Sequence, residues 1–62
     1  MRYAVVDWYE SDEGDILGID LTKEEANALV VQRIEDTDGE CDVMVYDDEF
    51  DKDMYSLLME LI

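Results

Sequence analysis

The alternation of apolar and polar positions divides the chain into five predicted elements. Residues 2–8 are apolar on both faces of an extended segment, which is typical of a central strand, and residues 15–21 alternate as a second strand does. Apolar positions then recur at helical spacing between residues 22 and 37. Residues 41–46 alternate again, and residues 53–62 form a second helical pattern. The predicted order of elements is β-β-α-β-α.

The first predicted helix has a clear start signal. Thr22 and Glu25 fit a capping box, in which each side chain accepts a hydrogen bond from the other residue's backbone N–H. The helix face that we expect to lie on the sheet consists of Ala26, Leu29, Val30 and Ile34. In the second strand, strict alternation places three apolar residues on one face, namely Leu17, Ile19 and Leu21. The opposite face of that strand then carries Ile16, Gly18 and Asp20.

The second predicted helix is apolar around most of its circumference. Its main stripe is formed by Met54, Leu57, Leu58 and Leu61. Three further apolar residues widen that stripe, namely Tyr55, Met59 and Ile62. A helix that is apolar nearly all round has to be covered on most sides. We therefore expect it either to cover the second face of the sheet or to pair with another copy of the chain as a homodimer.

These elements predict one small α+β domain that spans residues 1–62. A short hairpin makes the first two strands antiparallel, and the helix returns the chain for a third strand. If the third strand pairs with the first, the sheet has the order 2-1-3 and all its pairs are antiparallel. This order places the doubly apolar first strand at the centre, where its pattern indicates that it belongs.

The net charge distinguishes this chain from most small domains. The chain has 19 acidic residues, four Lys or Arg and no His, for a net charge of −15. Small soluble domains usually carry a net charge of magnitude ~2–8. Because so many like charges repel one another in a compact body, this composition favours a function that uses the charge. Duplex DNA carries one charge per ~1.7 Å, so fifteen charges match ~25 Å of duplex.

The predicted topology sorts the acids into two groups at opposite ends of the sheet. The group that we call the first acidic end lies in the hairpin loop and the connection to the third strand. It consists of Glu10, Asp12, Glu13, Asp15, Glu35, Asp36, Asp38, Glu40 and Asp42. The group at the other end, which we call the second acidic end, consists of Asp20, Glu24, Glu25, Asp47, Asp48, Glu49, Asp51 and Asp53.

The first acidic end is the predicted partner-binding surface. Glu35 and Asp36 come at a helix C-terminus, where the helix dipole disfavours negative charge, and locally unfavourable residues tend to mark function. Asp47, Asp48, Glu49, Asp51 and Asp53 form the secondary acidic cluster. Trp8 and Tyr9 directly precede the acidic hairpin loop, so they are candidate aromatic anchors for a basic partner.

Metal binding and catalysis find little support in the sequence. A calcium loop needs oxygen ligands at fixed positions and a central glycine. The loop around Gly39 would place Ile34 and Val45 at ligand positions, and the loop from Asp47 has Lys52 where glycine is required. A single Cys without His cannot build a structural zinc site. With no His, and no partner for either Ser, we expect neither an enzyme nor a cofactor.

Composition also limits the compartment and the partners. Cys41 is the only cysteine and fits a small apolar strand residue in a reducing cytoplasm. We see no signal peptide and no apolar run long enough for a membrane span. Strong negative charge argues against direct binding to nucleic acid or to an anionic membrane. The predicted partner is therefore a basic protein.

In size, acidity and strand–helix content, the chain resembles the small acidic proteins that phages use against host defences. These include DNA-mimic anti-restriction proteins, inhibitors of uracil-DNA glycosylase and several anti-CRISPR proteins. The resemblance covers the composition of the whole chain and carries over no functional residues. It implies an inhibitor that occupies the nucleic-acid site of a host enzyme. The alternatives are an acidic antitoxin or immunity-type partner of a basic toxin, and a non-inhibitory interaction or ion-binding module.

Overall fold

A computed structural model, which describes residues 1–10 and 12–61, has the predicted order of elements. The strands are β1 (Tyr3–Asp7), β2 (Asp15–Leu21) and β3 (Val43–Asp47). The helices are α1 (Lys23–Asp36) and α2 (Lys52–Glu60). Ile62, which was predicted to end the second helix, lies outside the described residues. Neither described helix has the length and apolarity that a membrane span requires.

The sheet has the predicted strand order, β2-β1-β3, and both strand pairs are antiparallel. The central position of β1 explains its doubly apolar pattern, since Ala4, Val5 and Val6 are fully buried. The third strand begins at Val43 and not at Cys41. The reason is local, because the backbone N–H of Asp42 donates to the side chain of Asp7.

The two helices cover opposite faces of the sheet. Ala4 and Val6 of β1 form a core cluster with Tyr55 and Leu58 of α2. On the other face, the guanidinium of Arg33 in α1 reaches the carboxylate of Asp7. The α2 helix therefore covers the second face of the sheet, which is one of its two predicted arrangements.

Strict alternation along β2 was a wrong prediction, because the strand contains two register shifts. Val5 lies opposite Gly18 and Val6 lies opposite Ile16, with a further shift between Tyr3 and Val5. These bulges return Ile19 to the same face as Ile16, where both pack against the α2 core cluster.

The bulge near the end of β2 has a partner on α2. Asp20 has a positive φ of 58°, and its backbone N–H donates to the hydroxyl of Tyr55 at 3.1 Å. The side chain of Tyr55 is buried, so this hydroxyl satisfies an amide that the irregular strand pairing releases. The bulge thus depends on a residue 35 positions further along the chain.

The helix boundaries follow the sequence more closely than the helix faces do. The capping box is present, since the Thr22 hydroxyl accepts from the Glu25 N–H at 3.2 Å and Glu25 accepts from the Thr22 N–H at 2.9 Å. Ile34, however, was predicted to face the sheet and is exposed. Arg33 reaches inward beside it, because its charge is neutralised there by Asp7.

The predicted main stripe of α2 is only partly buried. Leu58 is buried as expected, and Tyr55 joins it in the core. Leu57 and Leu61 remain exposed, at 51% and 62%. A helix this short covers the narrow sheet with one face only, so the rest of its apolar circumference faces outward.

Candidate functional site

The fold brings the two segments of the first acidic end together. At the end of β1, the backbone N–H of Trp8 donates to the carbonyl of Asp42 at 2.9 Å. The N–H of Asp42 in turn donates to the carboxylate of Asp7 at 3.0 Å. The hairpin loop after β1 and the segment before β3 therefore meet at one end of the sheet, and all nine acidic side chains predicted for this surface are exposed.

Asp7 joins these two segments, and sequence reasoning assigned it to neither acidic end. It is buried and accepts backbone N–H bonds from Tyr9 and Asp42, both at 3.0 Å. Arg33 donates to Asp7 at 2.8 Å and to Asp15 at 3.0 Å. The amides of Asp42 and Tyr9, followed by Arg33, lower the pKa of Asp7 from 3.8 to about 2. The sequence feature that could have indicated this role of Asp7 is a single carboxylate at the end of an otherwise apolar central strand.

The C-terminus of α1 presents acids in an unusual backbone geometry. The N–H of Gly39 donates to the carbonyl of Ile34 at 2.9 Å, and that of Asp38 donates to the carbonyl of Glu35 at 3.4 Å. This is the Schellman pattern, in which the residue in the left-handed conformation is usually glycine. Here that residue is Asp38, with φ of 55°.

The second acidic end uses several of its acids to shape its own backbone. The Asp47 carboxylate accepts from the backbone N–H groups of Glu49 and Phe50, and its own N–H donates to Asp51 at 3.4 Å. Asp47, Asp48 and Asp51 are each partly buried, in contrast with the exposed first acidic end. Such side chain to backbone bonds are typical of carboxylates that stabilise a turn.

Very few of the acids have a cationic partner. Arg2 pairs with Asp20 at 2.9 Å, and Arg33 pairs with Asp7 and Asp15. The hydrogen bond from Arg2 also lowers the pKa of Asp20. Across residues 1–10 and 12–61, no other ion pair is formed. Both arginines are therefore engaged in holding the fold, and most of the surface acids are left uncompensated.

The two candidate aromatic anchors have different environments. Trp8 packs against the α2 core cluster, and its indole N–H donates to the hydroxyl of Tyr46 at 2.9 Å. Tyr9 is 46% exposed and lies at the edge of the first acidic end. Tyr9 is thus the aromatic side chain available to a partner there, and its role as an anchor stays a prediction.

Exposed apolar residues of α2 border a shallow groove of about 770 Å³. It is lined by Ile16 and Ile19 of the sheet, by Leu57 of α2 and Leu61 directly after it, and by Glu13. This surface is where the predicted homodimer through α2 would form, and that homodimer stays a prediction.

The acidic clusters do not converge on a common point. Among the described residues, no group of three or more Asp, Glu or Cys side chains is close enough to hold a metal ion. This dispersion of the carboxylates is expected, because like charges on an open surface repel one another and lie apart unless a cation draws them together.

Comparison with known proteins leaves the site to be interpreted from its own geometry. The chain matches no family model, no curated protein and no solved structure.

Proposed function

We propose that this protein is an inhibitor whose anionic surface takes the place of nucleic acid in the basic binding site of a host enzyme. The proposed targets are nucleases of the CRISPR, restriction or DNA-repair type, and the proposed compartment is the cytoplasm. The observation that carries this proposal is the net charge of −15, the excess of 19 acidic residues over four Lys and Arg. Among the described residues, the only acids that form an ion pair are Asp7, Asp15 and Asp20.

The dimensions of the molecule support the comparison with duplex DNA. Its longest extent is 30 Å and its radius of gyration is 11.0 Å. A duplex segment of that length carries about 18 phosphate charges. The protein therefore offers a basic groove nearly the same charge over the same length, on a body that is small enough to enter it.

The first acidic end is the proposed contact surface. Its acidic side chains are exposed. At the other end, by contrast, the carboxylates of Asp47 and Asp51 accept hydrogen bonds from the backbone of their own turn. Asp38 occupies a left-handed position where glycine would be less strained, and Glu35 and Asp36 oppose the dipole of α1. Acids that lower stability at three neighbouring positions are best explained by a partner that requires their charge.

Affinity capture from bacterial lysate tests the proposal. The immobilised protein is incubated at low salt and eluted at about 0.5 M NaCl, where the Debye length is well below 10 Å. We expect the eluate to contain a nuclease or a DNA-repair enzyme. Recovery of a small basic toxin would support the antitoxin alternative, and a calcium-dependent thermal shift without any protein partner would support the ion-binding module.

A further inference from the structure

The outer edge of β3 forms one edge of the sheet and is available for hydrogen bonding to a further strand. In the described part of the chain, β3 pairs only with β1, so its other edge has no neighbouring strand. Met44 and Val45 are 46% and 40% exposed. The four residues of β3 before Asp47 carry no charge.

The register shows which backbone groups this edge presents. Trp8 donates to the carbonyl of Asp42, and the N–H of Asp48 donates to the carbonyl of Arg2, so the bonded pairs fall on even-numbered residues of the third strand. Val43 and Val45 therefore direct their N–H and C=O groups outward. The N–H of Asp47 points the same way and is satisfied by Asp51.

The opposite edge of the sheet is protected, and β3 is not. The two register shifts in β2 are the kind of bulge that natural edge strands use to prevent further pairing. By contrast, β3 runs in continuous register with β1 from Val43 to Asp47 and contains no Lys, Pro or bulge. A regular edge with four consecutive uncharged residues is the type of surface to which an extended peptide adds as a new strand.

We propose that the β3 edge binds an extended, cationic segment of the partner by strand addition. The charges at both ends of the strand indicate this occupant. Asp42 precedes β3, and Asp48 and Glu49 follow its last residue, Asp47. A partner strand with apolar residues at its centre and Arg or Lys at its ends would match this pattern. The proposal rests on the basic partner of the proposed function and adds a main-chain contact to it.

A second copy of the chain is a poor occupant of the same edge. An antiparallel pair of β3 strands would bring the acids that follow one strand beside those that precede the other, and like charges across a strand pair are destabilising. The charge of −15 on each copy also opposes association at moderate salt.

Two synthetic peptides separate strand addition from charge attraction. The first probe is Lys-Arg-Val-Thr-Val-Thr-Val-Arg-Lys. The second has the same sequence with an N-methyl group on each of the five central residues, which removes the hydrogen-bond donors from both edges of the peptide strand and keeps the charge. Calorimetry should show that the first binds about tenfold more tightly, because it gains the backbone bonds that the second lacks. In hydrogen exchange, its binding should slow the amides of Val43 and Val45, with little change at Met44 and Tyr46.

A protein variant provides the reciprocal test. Val45→Pro removes an outward N–H and leaves the β1 ladder intact, and Val45→Thr is the matched control that keeps the N–H. We expect Val45→Pro to lower the affinity for the first peptide about tenfold and Val45→Thr to preserve it.

Equal affinities for the two peptides, with unchanged exchange at Val43 and Val45, would overturn strand addition and leave the charge-based function standing. Failure of both peptides to bind at low salt would contradict the proposed function as well. Protection of Val43 and Val45 that rises with protein concentration alone would assign the edge to a second copy and overturn the proposal. If the Val45→Pro variant does not fold, the comparison of the two peptides on the wild-type protein still tests strand addition.

Discussion

At the scale of single residues, Asp7 holds the candidate site together. Its carboxylate receives the backbone N–H groups of Tyr9 and Asp42, one from each segment of the first acidic end, and pairs with Arg33. One buried negative charge thus positions the loops that carry the exposed ones. The side chain of Asp7 is structural, and the charges that it positions are the ones that we propose to meet a partner.

Replacement of Asp7 by Asn should lower stability in a pH-dependent way. The folded pKa of about 2 lies below the ordinary value of 3.8, so the contribution of Asp7 is complete above that value. It should be lost as the pH falls towards 2. Urea unfolding of wild type and Asp7→Asn from pH 2 to 7 should therefore show a stability difference that is constant above pH 5 and shrinks below pH 4.

Asp12→Asn is the control for this measurement, because Asp12 is exposed and belongs to the same end. Its stability difference from wild type should be small at every pH. A loss in Asp12→Asn as large as that in Asp7→Asn, or a difference for Asp7→Asn that persists unchanged at pH 2, would contradict the role given to Asp7.

At the scale of elements, the end of α1 combines a stable backbone motif with an unfavourable residue. The Schellman bonds from Asp38 and Gly39 close the helix, and Asp38 takes the left-handed position. Glycine would adopt that conformation without strain. The end of α1 is therefore less stable with Asp38 than it would be with glycine, at a position where the proposed contact surface carries a charge.

Substitution of Asp38 by Gly should stabilise the fold and weaken binding. The gain in the free energy of unfolding should be at most about 1 kcal/mol, because Asp pays less than an ordinary L-residue in the left-handed region and glycine pays no steric penalty there. Urea denaturation measures the gain, and affinity for the enzyme recovered by capture measures the loss. Asp38→Asn separates the two effects, because it removes the charge and keeps a residue that tolerates positive φ. A stabilised Asp38→Gly with full affinity would remove Asp38 from the contact surface.

The elements also show what could be predicted from the sequence and what could not. The strand order followed from β1, because a strand that is apolar on both faces belongs at the centre of a sheet. The start of α1 followed from Thr22 and Glu25, which act locally. The bulges of β2 could not be predicted, because the freed N–H of Asp20 is satisfied by Tyr55 on a distant helix.

The same distinction applies to the candidate site. Its exposed acids were predictable, since charge in loops is visible in the sequence and the topology placed the loops. The inward position of Arg33 was not, because a helical pattern assigns arginine to solvent unless a buried carboxylate lies opposite. Ile34 was displaced outward for the same reason.

At the scale of the whole molecule, self-repulsion should dominate the response to salt. The charge of −15 is spread over a body of 30 × 26 × 18 Å, so screening relieves repulsion among close neighbours. The melting temperature should rise by several degrees between low salt and about 0.5 M NaCl. Calorimetric melting of wild type measures this rise. A flat or falling midpoint would show that the acids are compensated within the fold.

The two ends of the molecule should differ in their contribution to binding. One variant combines Glu35→Gln, Asp36→Asn and Asp38→Asn. Its counterpart combines Asp47→Asn, Asp48→Asn and Glu49→Gln. The first variant should keep its melting temperature or gain slightly, and lose more affinity for the captured enzyme than the second. Equal losses would mean that only total charge matters, and a larger loss in the second variant would place the contact surface at the opposite end.

Displacement by nucleic acid tests the central claim most directly. The enzyme recovered by capture is titrated with this protein in the presence of increasing short duplex DNA, at several salt concentrations. If the protein occupies the nucleic-acid site, DNA should raise its apparent dissociation constant in proportion to DNA concentration, and affinity should fall steeply with salt. Binding that is unaffected by saturating DNA, with an affinity that does not change with salt, would contradict the account.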